Sequence, residues 1–374
     1  MLKSFTVSNF RAFENAITID FSATANYEFN KEAVKDGIVK TGVMYGKNAS
    51  GKSSLGLAIF DIVANLTDNF VNHGNYVNYS NRKTKDLRVT FEYKFEFDNI
   101  EIIYSYSKVD IRTIMSEKLS IGGRTLIEYD KTVNEDSIII AFTGAEHVNI
   151  ELRKLNFSAL KFIKSNVILA ENEENATFNK FYTFINKMLL FWSLETREFI
   201  GYTPVSGSPI LDTIIKRNHF ADLQKFFQEA GFEDELAHSL INGSEKLLIK
   251  YSENESIDFG LACSSGMSSL LLLYYWLEDV SDPEFCPSFI FIDEFDAFYH
   301  YELSYFIIEK LKSYNCQVLL TTHNTSIFTN DLLRPDCYFI CSKDKIENAH
   351  NATVKELRFG HNLEKLYRGG TFSK

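Results

Sequence analysis

The sequence has few cysteines and few glutamines, no long apolar run and no excess of positive charge. Its five cysteines, Cys263, Cys286, Cys316, Cys337 and Cys341, are odd in number and include no C-x-x-C pair. Cys337 and Cys341 stand four apart in an apolar, strand-like run, which suits buried reduced thiols better than a metal site. The longest apolar stretch, Leu270 to Leu277, falls far short of the ~20 residues a membrane span needs. The start, Met1-Leu2-Lys3-Ser4, has no apolar signal core. Together these absences read as a cytoplasmic protein without membrane contact. Thirty-nine Lys and Arg face 50 Asp and Glu, a formal net charge of −11. That balance disfavours a surface that coats nucleic acid as a whole, while one basic groove remains possible.

What is present is aromatic and apolar. The 374 residues include 33 Phe and 19 Tyr, and 45% are hydrophobic, enough for a sizeable core. The length suits one large α/β domain with an insertion, or two domains.

The chain is organised around Gly46-Lys47-Asn48-Ala49-Ser50-Gly51-Lys52-Ser53, which meets the phosphate-loop pattern G-x-x-x-x-G-K-[ST] at every fixed position. Gly46 and Gly51 permit backbone angles that let successive N–H groups wrap a phosphate, with Asn48, Ala49, Ser50 and the following Ser54 in the same cradle. Lys52 can reach the β- and γ-phosphates, and the Ser53 hydroxyl can ligate Mg²⁺. Val39 to Tyr45 reads as a strand and Ser53 to Leu66 as a helix, so the anion would meet a helix N-terminus.

Leu2 to Val7 and Ala16 to Phe21 read as strands, and Asn65 to Lys85 as turns. Leu87 to Phe97, Ile100 to Val109, Lys118 to Ile121, Thr125 to Tyr129 and Ser137 to Phe142 alternate or are β-branched, which predicts an antiparallel sheet with a turn at Gly122-Gly123. From Phe157 to about Leu240 the period becomes helical, with amphipathic runs over Phe178 to Phe191 and Leu211 to Ala230 and a break at Pro204 to Pro209. The β/α alternation returns with Leu247 to Tyr251, Ser268 to Leu277, Ser288 to Ile292, Tyr301 to Tyr314, Gln317 to Thr321 and Tyr338 to Cys341. The expected division is 1–150, 151–240 and 241–374.

Three further stretches carry chemistry. The apolar strand Ser288 to Ile292 ends in Asp293-Glu294, which beside a phosphate loop suits Asp293 as a Mg²⁺ ligand and Glu294 as the base that polarises the attacking water. Thr321-Thr322-His323-Asn324 follows a buried strand, and His323 can contact a γ-phosphate. Cys263-Ser264-Ser265-Gly266-Met267 opens a helix; by itself it reads as an ordinary N-cap, with a second anion site as the alternative.

In this order the four stretches resemble the ABC-type ATPases, in the branch of the SMC, Rad50, RecF and OLD proteins. Asn9-Phe10-Arg11 matches the arginine that lies near the nucleotide in that branch. The likeness is greatest to the AAA_15-type ATPases, such as those of the bacterial anti-phage systems PARIS and Septu. It rests on Cys263 to Gly266, Asp293-Glu294, Thr321 to Asn324, the Arg334-Pro335-Asp336 turn and the Leu363 to Gly370 end. It covers residues 1–65 and 245–374 and is weak over 66–240. The resemblance implies an α/β, ABC-type P-loop NTPase core with an antiparallel β lobe and a helical insertion. It implies ATP and Mg²⁺ as cofactors, hydrolysis by Glu294 and His323 with Lys52, and two subunits that sandwich ATP. Ser264, Ser265 and Gly266 of one subunit would then face Lys52 of the other, with Asp296 at the seam. Two features depart from the family pattern. The glutamine of the metal site has no counterpart, because Gln224, Gln228 and Gln317 are the only glutamines. Met267 stands where a polar residue is usual.

The expected function is an ATP-hydrolysing switch subunit that forms a dimer or higher oligomer and controls a separate effector, a nuclease or toxin, without nuclease activity of its own. The insertion is too short for an SMC-like arm and lacks sustained heptads. Its aromatics, Phe178, Phe181, Tyr182, Phe184, Phe191 and Trp192, either pack on the ATPase core or anchor a partner. The rivals are a RecF-like DNA-repair ATPase, for which Arg82, Lys83, Lys85 and Arg88 or Arg153, Lys154, Lys161 and Lys164 would form the basic groove, and a scaffold that binds ATP without hydrolysis.

Overall fold

The structure is a computed structural model that describes all residues except 70, 135–136, 194–197, 202–209, 242, 279–285, 298 and 373–374. The break expected over Pro204 to Pro209 therefore lies outside the described residues.

The chain opens with strands β1 (Leu2–Ser8) and β2 (Ile17–Asp20), then the small hairpin β3 (Val34–Lys35) and β4 (Ile38–Val39). Strand β5 (Thr41–Tyr45) leads through the phosphate loop into helix α1 (Lys52–Leu66). Next come β6 (Val89–Phe97), β7 (Ile100–Lys108), β8 (Ile114–Ile121), β9 (Arg124–Asp130) and β10 (Ile139–Ile140). With β1 and β2 they form a seven-stranded antiparallel sheet in the order β10-β9-β8-β7-β6-β1-β2. The alternation seen in the sequence appears as alternating burial along β6. Two of its turns place both central residues in the left-handed region, Asp98-Asn99 between β6 and β7 and the expected Gly122-Gly123 between β8 and β9. That backbone twist matches the twist of the flanking strands.

The stretch 151–240 carries helices α2 (Ala159–Asn166), α3 (Glu173–Asn186), α4 (Ile210–Lys216) and α5 (Phe220–Glu229). Between α3 and α4 lie strands β11 (Met188–Ser193) and β12 (Glu198–Gly201). The helical run expected to reach Phe191 thus stops at Asn186. Met188 to Phe191 are four consecutive buried apolar residues, a pattern that suits a buried strand as well as a buried helix. Parallel pairing with a central strand decides between the two. The run from Leu211 to Ala230 is split at Asn218, whose backbone is left-handed.

Three strands follow, β13 (Glu235–Ile241), β14 (Ser244–Lys250) and β15 (Ser256–Asp258), as a small antiparallel sheet. Then come α6 (Phe259–Ala262), α7 (Ser265–Glu278), β16 (Phe289–Ile292), α8 (Tyr301–Ser313), β17 (Gln317–Thr322), β18 (Tyr338–Cys341), β19 (Ile346–Asn348) and α9 (Leu363–Arg368). The core sheet has the order β12-β11-β16-β17-β5-β18-β19, and the five strands from β11 to β18 run parallel. Its central strands are buried throughout, the mark of a sheet covered on both faces.

Helix α1 is buried on nearly every side, because both sheets pack on it. Phe291 of β16 meets its Gly56, where an added Cβ would lie 2.5 Å from the ring. On the other side the Tyr93 hydroxyl donates to the Ala58 carbonyl at 2.9 Å. Ordinarily a glycine-to-alanine change inside a helix gains up to about 1 kcal/mol. Here the Phe291 ring is itself buried, so Gly56→Ala is expected to destabilise by about 1–3 kcal/mol in urea unfolding, the cost of overpacking. Unchanged or raised stability would show that β16 yields.

The aromatics of the insertion pack inward. Phe178, Phe181, Phe184 and Phe191 are buried, with Phe181 and Phe184 edge-on to Phe95 of β6. The half-buried Tyr182 donates its hydroxyl to the Leu66 carbonyl at the end of α1. These residues are core and do not form an exposed anchor; the Trp192 side chain lies outside the described atoms.

Candidate nucleotide site

Strand β5 delivers the phosphate loop between β17 and β18. Ala49 (φ 60°) and Gly51 (φ 108°) are left-handed, and Gly51 caps α1. Alternation of this kind turns backbone N–H groups into a concave anion nest. The loop is tightly closed, since a Cβ at Gly46 would sit 2.5 Å from Ser50 Oγ and 2.7 Å from the Cys341 carbonyl. A cavity of about 420 Å³ opens over it, walled by Asn48 to Ser54, Ala12, Glu294 and His323.

Lys52 is buried, and its ammonium donates to the Gly46 carbonyl at 3.0 Å and to His323 Nε2 at 2.9 Å. An ammonium has only donors, so this contact requires an unprotonated Nε2 and puts the imidazole proton on Nδ1. Burial lowers the pKa of Lys52, with Asp293, Cys341 and Glu294 opposing. His323 Nε2 lies 3.7 Å from Glu294 Oε1, beyond hydrogen-bond range.

Strand β16 ends at the same cavity. Burial pushes the Asp293 carboxyl above its ordinary range; hydrogen bonds from Ser53 and Thr321 and the charge of Lys52 hold it down, and Glu294 pushes it further up. Thr321 donates to Asp293 Oδ1 at 2.5 Å. Glu294 is left-handed (φ 46°), which turns its side chain out of the strand into the cavity, where it is 59% exposed. Asp296 is half-buried and held in its own subunit by the Thr322 hydroxyl at 2.7 and 2.8 Å, and burial raises its pKa.

These residues fit a magnesium nucleotide. The phosphate loop supplies the nest, Lys52 a cation, and Ser53 with Asp293 a hydroxyl and a carboxylate in contact with each other.

Other expected residues lie apart. Arg11 is left-handed (φ 46°), and its guanidinium donates to the Asn75 carbonyl at 2.8 Å, so Ala12 and not Arg11 walls the cavity. Ser264 and Ser265 are exposed and Gly266 is buried, and none of the three lines the cavity. Ser264 Oγ accepts from the Met267 N–H at 3.2 Å, the N-cap geometry of α7. Helix α7 starts at Ser265, so Gly266 lies inside its first turn, and Met267 is buried, which accounts for an apolar residue there. Gln317 is structural. Its amide accepts from the Leu2 N–H at 2.9 Å and donates to the Leu2 and Val39 carbonyls at 2.9 and 3.1 Å, stitching β1 to the core sheet.

Sequence reasoning missed a second cavity of about 440 Å³ behind the phosphate loop, lined by Cys341, Lys343, Lys345, Tyr367 and Phe372. Its walls come from β18 and the α9 segment, which no motif connects to residues 46–50.

Over residues 43–329 the chain matches the family described as "AAA domain, putative AbiEii toxin, Type IV TA system", and it belongs to that family. Its core is that of an ABC-type P-loop ATPase, α/β with an antiparallel lobe. Among solved structures it is similar to an SMC head bound to the C-winged helix domain of ScpA (14% identity, TM-score 0.47, 93% of this chain and 96% of that one). It is also similar to the SMC head domain from Thermotoga maritima (12%, 0.43, 93% and 97%) and to the recombination mediator protein RecF with ATP (14%, 0.42, 93% and 99%). No curated protein matches. Among the described residues, no helix is long and apolar enough to cross a membrane.

Proposed function

We propose that the chain is an ATP-binding and ATP-hydrolysing switch subunit. It self-associates through ATP held between subunits and controls a separate effector, a nuclease or toxin, in bacterial anti-phage defence. The observation that carries the ATPase reading is the convergence of Lys52, Ser53, Glu294 and His323 on one open cavity, with the buried Asp293 in contact with Ser53 behind it. Ser53 and Asp293 would hold Mg²⁺, which supplies charge neutralisation for the phosphates. Lys52 would leave the Gly46 carbonyl and His323 for the phosphates; the released imidazole can then meet the γ-phosphate as a donor once Nε2 carries a proton, as the other tautomer or as the imidazolium. Glu294, exposed and turned into the cavity, takes the proton of the attacking water.

Self-association is supported by the position of Ser264 to Gly266, outside the cavity of their own subunit and exposed at the two serines. A second chain can present them to the open side. Gly266→Asp is expected to keep nucleotide binding to the monomer and abolish ATP-driven association, because a carboxylate meets the γ-phosphate across the seam. Mixed with Lys52→Ala subunits, which lose the phosphate cation, it should form one working site at most. Light scattering with ATP and phosphate release are the measurements. Normal hydrolysis by Gly266→Asp alone would overturn the sandwich.

The basic clusters give a RecF-like DNA role less support. Lys83 pairs with Glu14, Arg88 with Asp130, Lys154 with Glu151 and Lys161 with Asp68. Salt-dependent binding of duplex DNA, with a slope reflecting several phosphate contacts, would favour the DNA role instead.

A further inference from the structure

Strand β17 ends in two adjacent threonines directly before His323, and both side chains are fully buried. Each hydroxyl both donates and accepts. Thr321 Oγ1 donates to Asp293 Oδ1 at 2.5 Å and accepts from the Glu294 N–H at 2.8 Å. Its carbonyl also accepts from the Phe295 N–H at 3.1 Å. Thr322 Oγ1 donates to both oxygens of Asp296 and accepts from the Asn324 N–H at 2.8 Å. A hydroxyl offers one proton and two lone pairs, so Thr321 can serve a carboxylate and an N–H at once.

The contact is specific in its consequences. The Glu294 backbone is left-handed, a region that residues with a side chain seldom enter. The hydrogen bond from its N–H to Thr321 holds the chain in that turn, and the turn sends the Glu294 side chain into the cavity while Asp293 stays buried. The same oxygen fixes the Asp293 carboxylate beside Ser53.

We infer that Thr321 is a positioning residue for ATP hydrolysis, whose single hydroxyl sets the two carboxylates of the β16 end relative to each other and to the strand that carries His323. The inference rests on the proposed roles of Asp293 and Glu294. Thr321 is fully buried and does not line the cavity; it acts through those two residues.

Thr321→Val keeps shape and removes the hydroxyl, and Thr321→Ser keeps the hydroxyl. Loss of an orienting partner behind a metal ligand typically costs about 10–100-fold. Thr321→Val is expected to lower kcat by that factor with KM for ATP changed less than about threefold. It should also shrink the gain in affinity for a fluorescent ATP analogue that Mg²⁺ provides, while affinity without Mg²⁺ stays as in the wild type. Thr321→Ser is expected to restore most of both, and Thr321→Ala serves as a second removal variant should the valine disturb folding. In a Glu294→Gln background, Thr321→Val should still shrink the Mg²⁺ effect on affinity, because Asp293 loses its partner there as well. If Glu294→Gln abolishes turnover while Thr321→Val and Thr321→Ala keep both kcat and the Mg²⁺ effect within twofold, the positioning role is wrong and the base stands. If Glu294→Gln leaves turnover intact, the assignment of the base itself fails.

Discussion

Glu294→Gln is expected to bind ATP as the wild type does and to lose about 10²–10⁴-fold in turnover, the range of a positioned general base. The substitution preserves length and hydrogen-bonding shape and leaves the N–H bond to Thr321 in place, so the left-handed turn and the neighbouring Asp293 are kept. What is lost is the proton acceptor. Because Lys52, Ser53 and the loop amides are untouched, the nucleotide should remain bound, and self-association should persist in ATP instead of decaying with hydrolysis. Phosphate release and light scattering on one sample read both halves. Near-wild-type hydrolysis would sink Glu294 as base, and loss of binding would show that it holds the loop instead.

The second large effect lies away from the cavity. Asp61 of α1 is fully buried and accepts from Lys108 Nζ at 2.9 Å, Tyr106 at 2.8 Å and Tyr79 at 2.7 Å. Lys108, on β7, is equally buried and also donates to the Ile111 carbonyl at 3.2 Å. The pair joins the helix behind the phosphate loop to the antiparallel sheet. Lys108→Met would leave a carboxylate in the core with two tyrosine hydroxyls and no counter-charge, and is expected to cost about 3–5 kcal/mol in urea unfolding. The double change Lys108→Met with Asp61→Asn removes both charges and should recover most of that loss, since buried pairs are often replaceable as pairs. A single change costing under about 1 kcal/mol, or a double no better than the single, would mean that the charges are not coupled.

Much of the site was legible because its pieces are local. A phosphate loop, an acid pair closing an apolar strand and a histidine closing the next are each written in a few consecutive residues, and the sheet order then sets β17 between β5 and β16. The lobe of β6 to β9 was legible for the same reason, each strand pairing with the next. What could not be read depends on distant partners. Met188 to Phe191 becomes a strand because it pairs with Phe289 to Ile292 on one side and with Phe199 to Gly201 on the other. Gln317 drew attention as a poor candidate for a metal ligand, and its work is to hold Leu2, 315 residues away. The two threonines before His323 were quoted as part of a motif with no task of their own, since their acceptors lie on another strand.

The position of β5 bears on how the protein is made. Its two neighbours in the sheet are β17 and β18, residues 317–322 and 338–341. The phosphate loop therefore leaves the ribosome without the strands that will flank it. At about 5–20 residues per second, their synthesis follows after roughly 15–55 s. The lobe of β6 to β9 can zip together hairpin by hairpin in that interval and cover one side of α1, while the side that meets β16 must wait. The nascent chain gains its nucleotide site only when Asp293, Glu294 and His323 have also been added. Nucleotide capture and completion of the core sheet are thus a single late event in biogenesis.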